Sequence, residues 1–144
     1  MKVSTKGRYG LRAMIDLALY SQNDSVPLVS IAERQDISKS YLEQVFSALR
    51  KAGLVKSIKG SQGGYVLAYD ADEITVGMIL RALEGDLSVV PMEDEVITNP
   101  IESFIRESIW NKIDERVFSF IDEYTLKDII EDYMERDPAP MYYI

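Results

Sequence analysis

The spacing of apolar positions changes along the chain, and each change marks an element. Leu11, Met14, Ile15, Ala18 and Leu19 recur at helical spacing, which predicts a first helix over residues 4–20, with Ser4 or Thr5 as its N-cap. Residues 21–27, Ser-Gln-Asn-Asp-Ser-Val-Pro, read as a loop. A second helix is expected over residues 29–35 with Ile31 and Ala32 inward, followed by a turn at Asp36-Ile37 in which Ile37 plugs the gap to the next helix. That third helix has Leu42, Val45, Phe46 and Leu49 as its buried stripe. Its N-cap is Ser38, or Ser40 in a capping box with Glu43. Gly53, able to take the left-handed conformation, ends it.

Two short β-rich runs follow, at residues 54–58 and 65–69, around Lys59-Gly60-Ser61-Gln62-Gly63-Gly64. After a turn at residues 70–73, Thr75 caps a short helix over residues 76–83 that Gly85 stops. Residues 85–99 read as an irregular linker. Asn99-Pro100-Ile101-Glu102 combines an N-cap, a first-turn proline and an N3 glutamate, and starts a helix to about residue 122. A last helix spans residue 126 to about 134. The pattern is mostly α with a small β-wing: a winged helix-turn-helix over residues 1–85, then a linker, a long C-terminal dimerisation helix and a C-terminal helix with tail over residues 86–144.

The polar face of the third helix carries the first functional signal. Ser40, Gln44, Ser47 and Lys51 lie opposite the buried stripe, at ~3.6 residues per turn. They are small or hydrogen-bonding side chains ending in a cation, as a helix entering the major groove requires. Tyr41 and Arg50 flank them, within reach of phosphates. A generic amphipathic helix also has a polar face, so the weight comes from its neighbours. The loop at residues 59–64 has three glycines in six residues, which lets backbone approach another surface, and Lys56, Lys59, Ser61 and Gln62 add charge and donors. Those are the properties of a wing laid on a DNA backbone or in a minor groove. A phosphate-cradling loop of a nucleotide enzyme is the alternative, but its Gly-Lys-Ser/Thr ending is absent. Lys6, Arg8 and Arg12 crowd the start of the first helix against its dipole; either a phosphate beside that N-terminus explains them, or they are simply solvated.

Charge agrees. The net charge is −8, yet residues 1–67 hold 10 Lys+Arg against 5 Asp+Glu and residues 68–144 hold 6 against 19. A basic front and an acidic back suit a DNA reader whose body faces away from phosphate, although uneven surface charge alone also produces asymmetry. The chain has no cysteine and no histidine, which excludes disulfides, thiolate metal sites, cysteine-ligated iron–sulfur clusters and Ser-His or Cys-His catalysis. No metal or cofactor is implied: the Glu93-Asp94-Glu95 cluster can attract a hard cation, but a solvated loop explains it better. No apolar run is long enough for a membrane span, and a cytoplasmic location without membrane contact is expected.

The long helix carries the second signal. Trp110, Ile113, Val117, Phe120, Ile121 and Tyr124 line one face, and Ile101, Phe104 and Ile105 extend it. A single winged domain cannot cover roughly 35 Å of apolar helix, so a second subunit is the natural lid. The tail Pro138-Ala139-Pro140-Met141-Tyr142-Tyr143-Ile144 either folds back on the body or serves as a peptide ligand for a partner's pocket.

Met1-Lys2-Val3-Ser4-Thr5-Lys6-Gly7-Arg8-Tyr9-Gly10-Leu11, Ser30-Ile31-Ala32, Tyr41-Leu42-Glu43-Gln44, Leu49-Arg50-Lys51-Ala52-Gly53-Leu54-Val55 and Gly60 through Gly64-Tyr65 together resemble the Rrf-two family of bacterial transcription regulators. Ile74-Thr75-Val76-Gly77, Arg81-Ala82-Leu83-Glu84-Gly85 and Thr125-Leu126-Lys127-Asp128 extend the match over nearly the whole chain. The resemblance implies a dimeric winged-helix regulator whose long C-terminal helix crosses between subunits. Many members hold an iron–sulfur cluster on three cysteines in the segment matching residues 88–106; this chain has none of them. Its ending, Met141-Tyr142-Tyr143-Ile144, is similar to that of the cluster-free CymR type, repressors of cysteine and sulfur metabolism that act with cysteine synthase. The resemblance therefore implies cysteine synthase as a partner, with Tyr143 and Ile144 entering its active site and the Ile144 carboxylate replacing the substrate carboxylate.

These readings converge on a sequence-specific, homodimeric repressor that binds double-stranded operator DNA. The wing tip, residues 60–64 with Gly60, Gln62, Gly63 and Gly64, is expected in a minor groove. Ser38, Ser40, Tyr41, Gln44 and Ser47 approach bases or nearby phosphates, and Arg8, Tyr9, Arg50, Lys51, Lys56 and Lys59 the phosphate backbone. Two recognition helices predict a palindrome with half-sites about one or two and a half turns apart. The competing reading is a protein-interaction module that acts through the acidic half and tail without binding DNA. No constellation of carboxylates is spaced for enzyme chemistry.

Overall fold

The computed structural model describes residues 1–61, 63–91 and 96–137 of the 144. Gln62, the Glu93-Asp94-Glu95 cluster and the tail from Pro138 to Ile144 lie outside the described residues. The order is α1 (Thr5–Tyr20), α2 (Leu28–Gln35), α3 (Lys39–Lys51), β1 (Val55–Ile58), β2 (Gly64–Leu67), α4 (Val76–Glu84), α5 (Pro100–Ile105), a π-helical turn (Arg106–Trp110), α6 (Asn111–Glu123) and α7 (Leu126–Arg136). This is the expected mostly helical chain with a two-stranded antiparallel wing.

Helix starts follow the side chains that can satisfy free backbone N–H groups. Ser4 caps α1 and Thr75 caps α4. Ser38, not Ser40, caps α3, its Oγ accepting from Tyr41 N at 3.2 Å. Asn99 caps α5 with Pro100 in the first turn, and Thr125 with Asp128 forms a full capping box on α7. Asp36, between α2 and α3, takes the left-handed conformation (φ 54°), and Ile37 is buried behind it.

Helix α1 is the central element, in contact with α2, α3, α4, α7 and β2. Its inward surface is therefore wider than the single stripe read from the sequence: Ala13, Met14 and Leu17 are fully buried, while Leu11 and Ile15 are half-buried. Leu42, Val45, Phe46 and Leu49 of α3 complete the core together with Ile31, Ile74 and Ile79. The C-terminal helix returns to the same core, where Leu126 is fully buried and Ile129 and Ile130 pack against it. The extended residues Thr75 and Thr125, each preceding a helix, pair as an antiparallel bridge: Val76 N donates to Tyr124 O, and Leu126 N to Ile74 O, both at 2.9 Å.

A polar residue holds α1 to α2. Asp16, 1% exposed, accepts from Arg34 at 2.7 and 2.9 Å and from Gln35 Nε2 at 2.9 Å. Arg34 also lies 3.9 Å over the Tyr20 ring. The Asp16 hydrogen bond holds the Arg34 pKa above its ordinary value.

Residues 100–123 form one continuous helix interrupted by the π turn, in which Asn111 N bonds to Arg106 O, five residues back. Ile121 is 8% exposed and packs on Val76, Leu80 and Leu87, with Val117 beside it. These two residues, expected on the open apolar face, belong to the contact between α6 and α4. The remaining apolar surface stays open: Ile101 (71% exposed), Phe104 (68%), Ile109 (44%), Ile113 (41%) and Phe120 (58%). Ile105 and Trp110 are half-buried.

Candidate nucleic-acid interface

The interface builds on α3, whose buried stripe leaves Ser40, Gln44, Arg50 and Lys51 exposed and Ser47 and Tyr41 half-buried. Ser38 is exposed, but its hydroxyl oxygen is engaged as the cap of the helix. The start of α1 stands beside the start of α3: the Tyr9 and Tyr41 rings meet edge to face at 6.0 Å. Arg12 lies 5.1 Å and Arg8 6.0 Å from the Tyr9 ring centre. A compact basic and aromatic cluster thus flanks α3.

The crowding of cations at the start of α1 has an internal explanation. The carboxylate of Glu84, at the end of α4, accepts from Ser4 N at 2.9 Å, from the Ser4 hydroxyl and from Gly7 N at 3.0 Å. An anion therefore does sit at this helix N-terminus, but it is a side chain of the chain itself rather than a phosphate. Arg12, in turn, donates to the Gln35 carbonyl at the end of α2, a favourable place for a cation. Arg8 bonds Thr5, three residues back, at 3.2 Å, and is exposed.

The wing pairs Val55 with Leu67 through Ile58 with Gly64. Lys56, Lys59 and Gly60 are exposed, and Gly60 has φ 128°, open to glycine. Gly63 and Gly64 have a different reason to be glycine. A Cβ on Gly63 would lie 2.5 Å from Ile58 O, and one on Gly64 would overlap the Val26 backbone. The close approach is to the protein's own chain: Val26 and Tyr65 exchange two backbone hydrogen bonds of 2.9 Å across this contact.

Two clefts border the wing. One gathers Arg50, Lys56 and Lys59 with Ser57 and Tyr69, bringing three predicted phosphate contacts from α3, β1 and the loop after β1 into one concave surface. The other lies between the start of α2, Lys39 and the wing residues Ser57, Ile58, Gly63 and Gly64. Sequence reasoning passed over Lys39 and Tyr69. Lys39 was findable, being a cation in the first turn of α3 opposed to the helix dipole, the same signal that singled out Arg8. Tyr69 was read as part of a strand, but β2 ends at Leu67 and leaves Tyr69 51% exposed.

A concave cationic surface beside an outward polar helix can hold a duplex backbone while side chains read base edges. Comparison with known proteins agrees with that geometry. The family described as Rrf2, iron-dependent transcriptional regulator, matches residues 3–132. This chain belongs to the Rrf2 family. It is similar to the HTH-type transcriptional regulator IscR of Photobacterium profundum, 41% identical over 132 residues, which cover 92% of this chain and 77% of that protein. Among solved structures it is similar to CymR (YrzC), the global cysteine regulator of B. subtilis, with 44% identity, a TM-score of 0.78 and coverage of 91% of this chain and 97% of that one. T. potens IscR is 43% identical with a TM-score of 0.76, covering 95% and 91%. As a member of the Rrf2 family the chain is a DNA-binding transcriptional regulator and not an enzyme. No helix among the described residues is long and apolar enough to cross a membrane.

The Rrf2 description names iron, so the donors need a test. A thiolate-held iron–sulfur cluster does not fit a chain without cysteine or histidine. Among the described residues, the one close group of three carboxylates, Asp70, Asp72 and Glu73, is exposed in a surface turn.

Proposed function

We propose that this Rrf2 regulator is a homodimeric, operator-specific repressor of cysteine and sulfur metabolism genes that works without an iron–sulfur cluster. The observation that carries the DNA-reading half is the conjunction of the outward face of α3 with the cleft formed by Arg50, Lys56 and Lys59. In this reading Ser40, Gln44 and Ser47 reach base edges, with Tyr41 and Ser38 at the groove edge. Arg8, Tyr9, Lys51 and the cleft cations hold phosphates, and the wing tip with Gly60, Gln62, Gly63 and Gly64 follows the minor groove.

The open face of the long helix supports a second copy as partner. Its five exposed apolar side chains leave on the order of 500 Å² uncovered, at ~150–250 Å² per large side chain, a patch of the size that marks interaction sites. With a polar rim it approaches the roughly 800 Å² per partner of a stable interface. Ile101, Phe104, Ile105, Trp110, Ile113 and Phe120 are the contact residues in this reading.

Similarity to the B. subtilis cysteine regulator supports the sulfur regulon, and the absence of every thiolate and imidazole supports a cluster-free protein. The partner is cysteine synthase, engaged by the tail Met141, Tyr142, Tyr143 and Ile144. Genome-wide DNA enrichment by the purified protein, with and without the synthase, tests the whole reading. Palindromes upstream of sulfur-assimilation genes, sharpened by the synthase, are expected; palindromes elsewhere, indifferent to it, overturn the sulfur assignment. Deleting residues 142–144 is expected to abolish synthase binding, and unchanged affinity removes the tail from the interface.

A further inference from the structure

The open apolar residues fall in two groups, on either side of the π turn. Ile101 and Phe104 belong to α5, Ile113 and Phe120 to α6, and Ile109 lies in the turn itself. In an uninterrupted α-helix each residue advances by ~100°, so Phe120, nineteen positions after Ile101, would point ~100° away from it. The π turn absorbs about one extra residue. Phe120 then returns to the bearing of Ile101, and Ile109 and Ile113 fall within about 20° of the same line.

The burial pattern follows this corrected bearing. The four residues on the line are exposed, as is Phe104, which flanks it by about 60° on one side. Val117, Phe118 and Ile121 lie on the other side, which packs against α4 and Leu87. Ile121 anchors α6 to the body, so the turn acts on α5: it rotates that segment until its apolar side chains extend the line begun on α6.

We propose that the π turn at residues 106–110 is a register device that joins two half-stripes into one continuous seam for a second copy of this chain. The inference rests on the homodimer reading and deepens it. A seam that crosses the turn engages Phe104 as fully as Phe120, whereas a dimer made by α6 alone leaves α5 unused.

Deletion of both Glu107 and Ser108 tests the device: removing one residue leaves the two half-stripes in line on an ordinary α-helix, whereas removing two turns one half-stripe ~100° from the other. The full chain is examined by sedimentation equilibrium, with deletion of Ser108 alone as the control that keeps the line. Wild type and the single deletion are expected to dimerise alike, and the double deletion to weaken dimerisation at least tenfold while the monomer keeps its cooperative melting. A double deletion that dimerises like wild type, or a single deletion that does not, overturns the proposal. Should the double deletion fail to fold, the surface variants Phe104→Asp and Phe120→Asp decide. Comparable weakening by both supports a seam across the turn, and an unaffected Phe104→Asp overturns it. A wild-type chain that stays monomeric at all concentrations overturns the dimer reading itself, a result distinct from the others.

Discussion

The Glu84 carboxylate lies 3.0 Å from the backbone nitrogen of Gly7, so the last turn of α4 caps the first turn of α1. The contact depends on glycine, since a Cβ at position 7 would overlap Glu84 Oε1. It ties the arm that carries Lys2, Lys6 and Arg8 to the point where the chain leaves for the long helix. Glu84→Ala is expected to lower stability by about 0.5–2 kcal/mol, the usual loss for an N-cap acceptor. Glu84→Gln, which keeps an acceptor but loses the charge, should cost less. Urea denaturation checks both, and an Ala variant as stable as wild type would remove the cap from the account.

Asp16 is expected to be among the most sensitive polar positions. Its removal leaves the Arg34 guanidinium, about one-third exposed, without its partner. Losing one member of a buried pair costs about 3–5 kcal/mol, and partial hydration of Arg34 places Asp16→Ala near or below the lower end. Chemical denaturation measures it, and a loss under about 1 kcal/mol, the level of an exposed pair, would show the contact to be dispensable.

Gly64→Ala tests whether the wing glycines serve the protein's own packing. The added methyl meets backbone at Val26, which cannot swing aside as a side chain can. A loss of about 1–3 kcal/mol is expected, together with faster amide exchange at Val26 and Tyr65. Weaker DNA binding with stability and exchange unchanged would instead assign Gly64 to the DNA contact alone.

Two isoleucines on one helix should separate association from folding. Ile113→Asp, on the open face, is expected to shift the protein to monomer with its melting otherwise retained. Ile121→Ala, buried against α4, is expected to destabilise the fold by about 2–5 kcal/mol. Sedimentation and thermal melting of the two variants check the division, and identical behaviour would contradict it.

Salt dependence reports the phosphate contacts. If about six Lys and Arg per dimer meet phosphates, log affinity falls against log salt with a slope near −5. Lys56→Ala combined with Lys59→Ala removes about four contacts per dimer and should bring the slope to about −2. Gln44→Ala should leave the slope unchanged while costing about 1–3 kcal/mol of discrimination at one base pair. A wild-type slope near zero would refute groove binding.

What the sequence determined by itself is what depends on neighbours in the chain. Helical spacing located the helices, Ser38 and Asn99 marked their starts, and the buried stripe of α3 made its outer face legible as a polar one. Composition alone removed thiolate and imidazole chemistry. Only the tertiary structure decided where distant segments meet. Nothing local to Asp16 announces Arg34, nothing local to Gly7 announces Glu84, and nothing in the repeat of Ile101, Phe104, Ile113 and Phe120 announces a π turn. The physical reason is the same in each case. A side chain's partner, and the bearing of a helix face, are set by packing between elements, which local spacing does not encode.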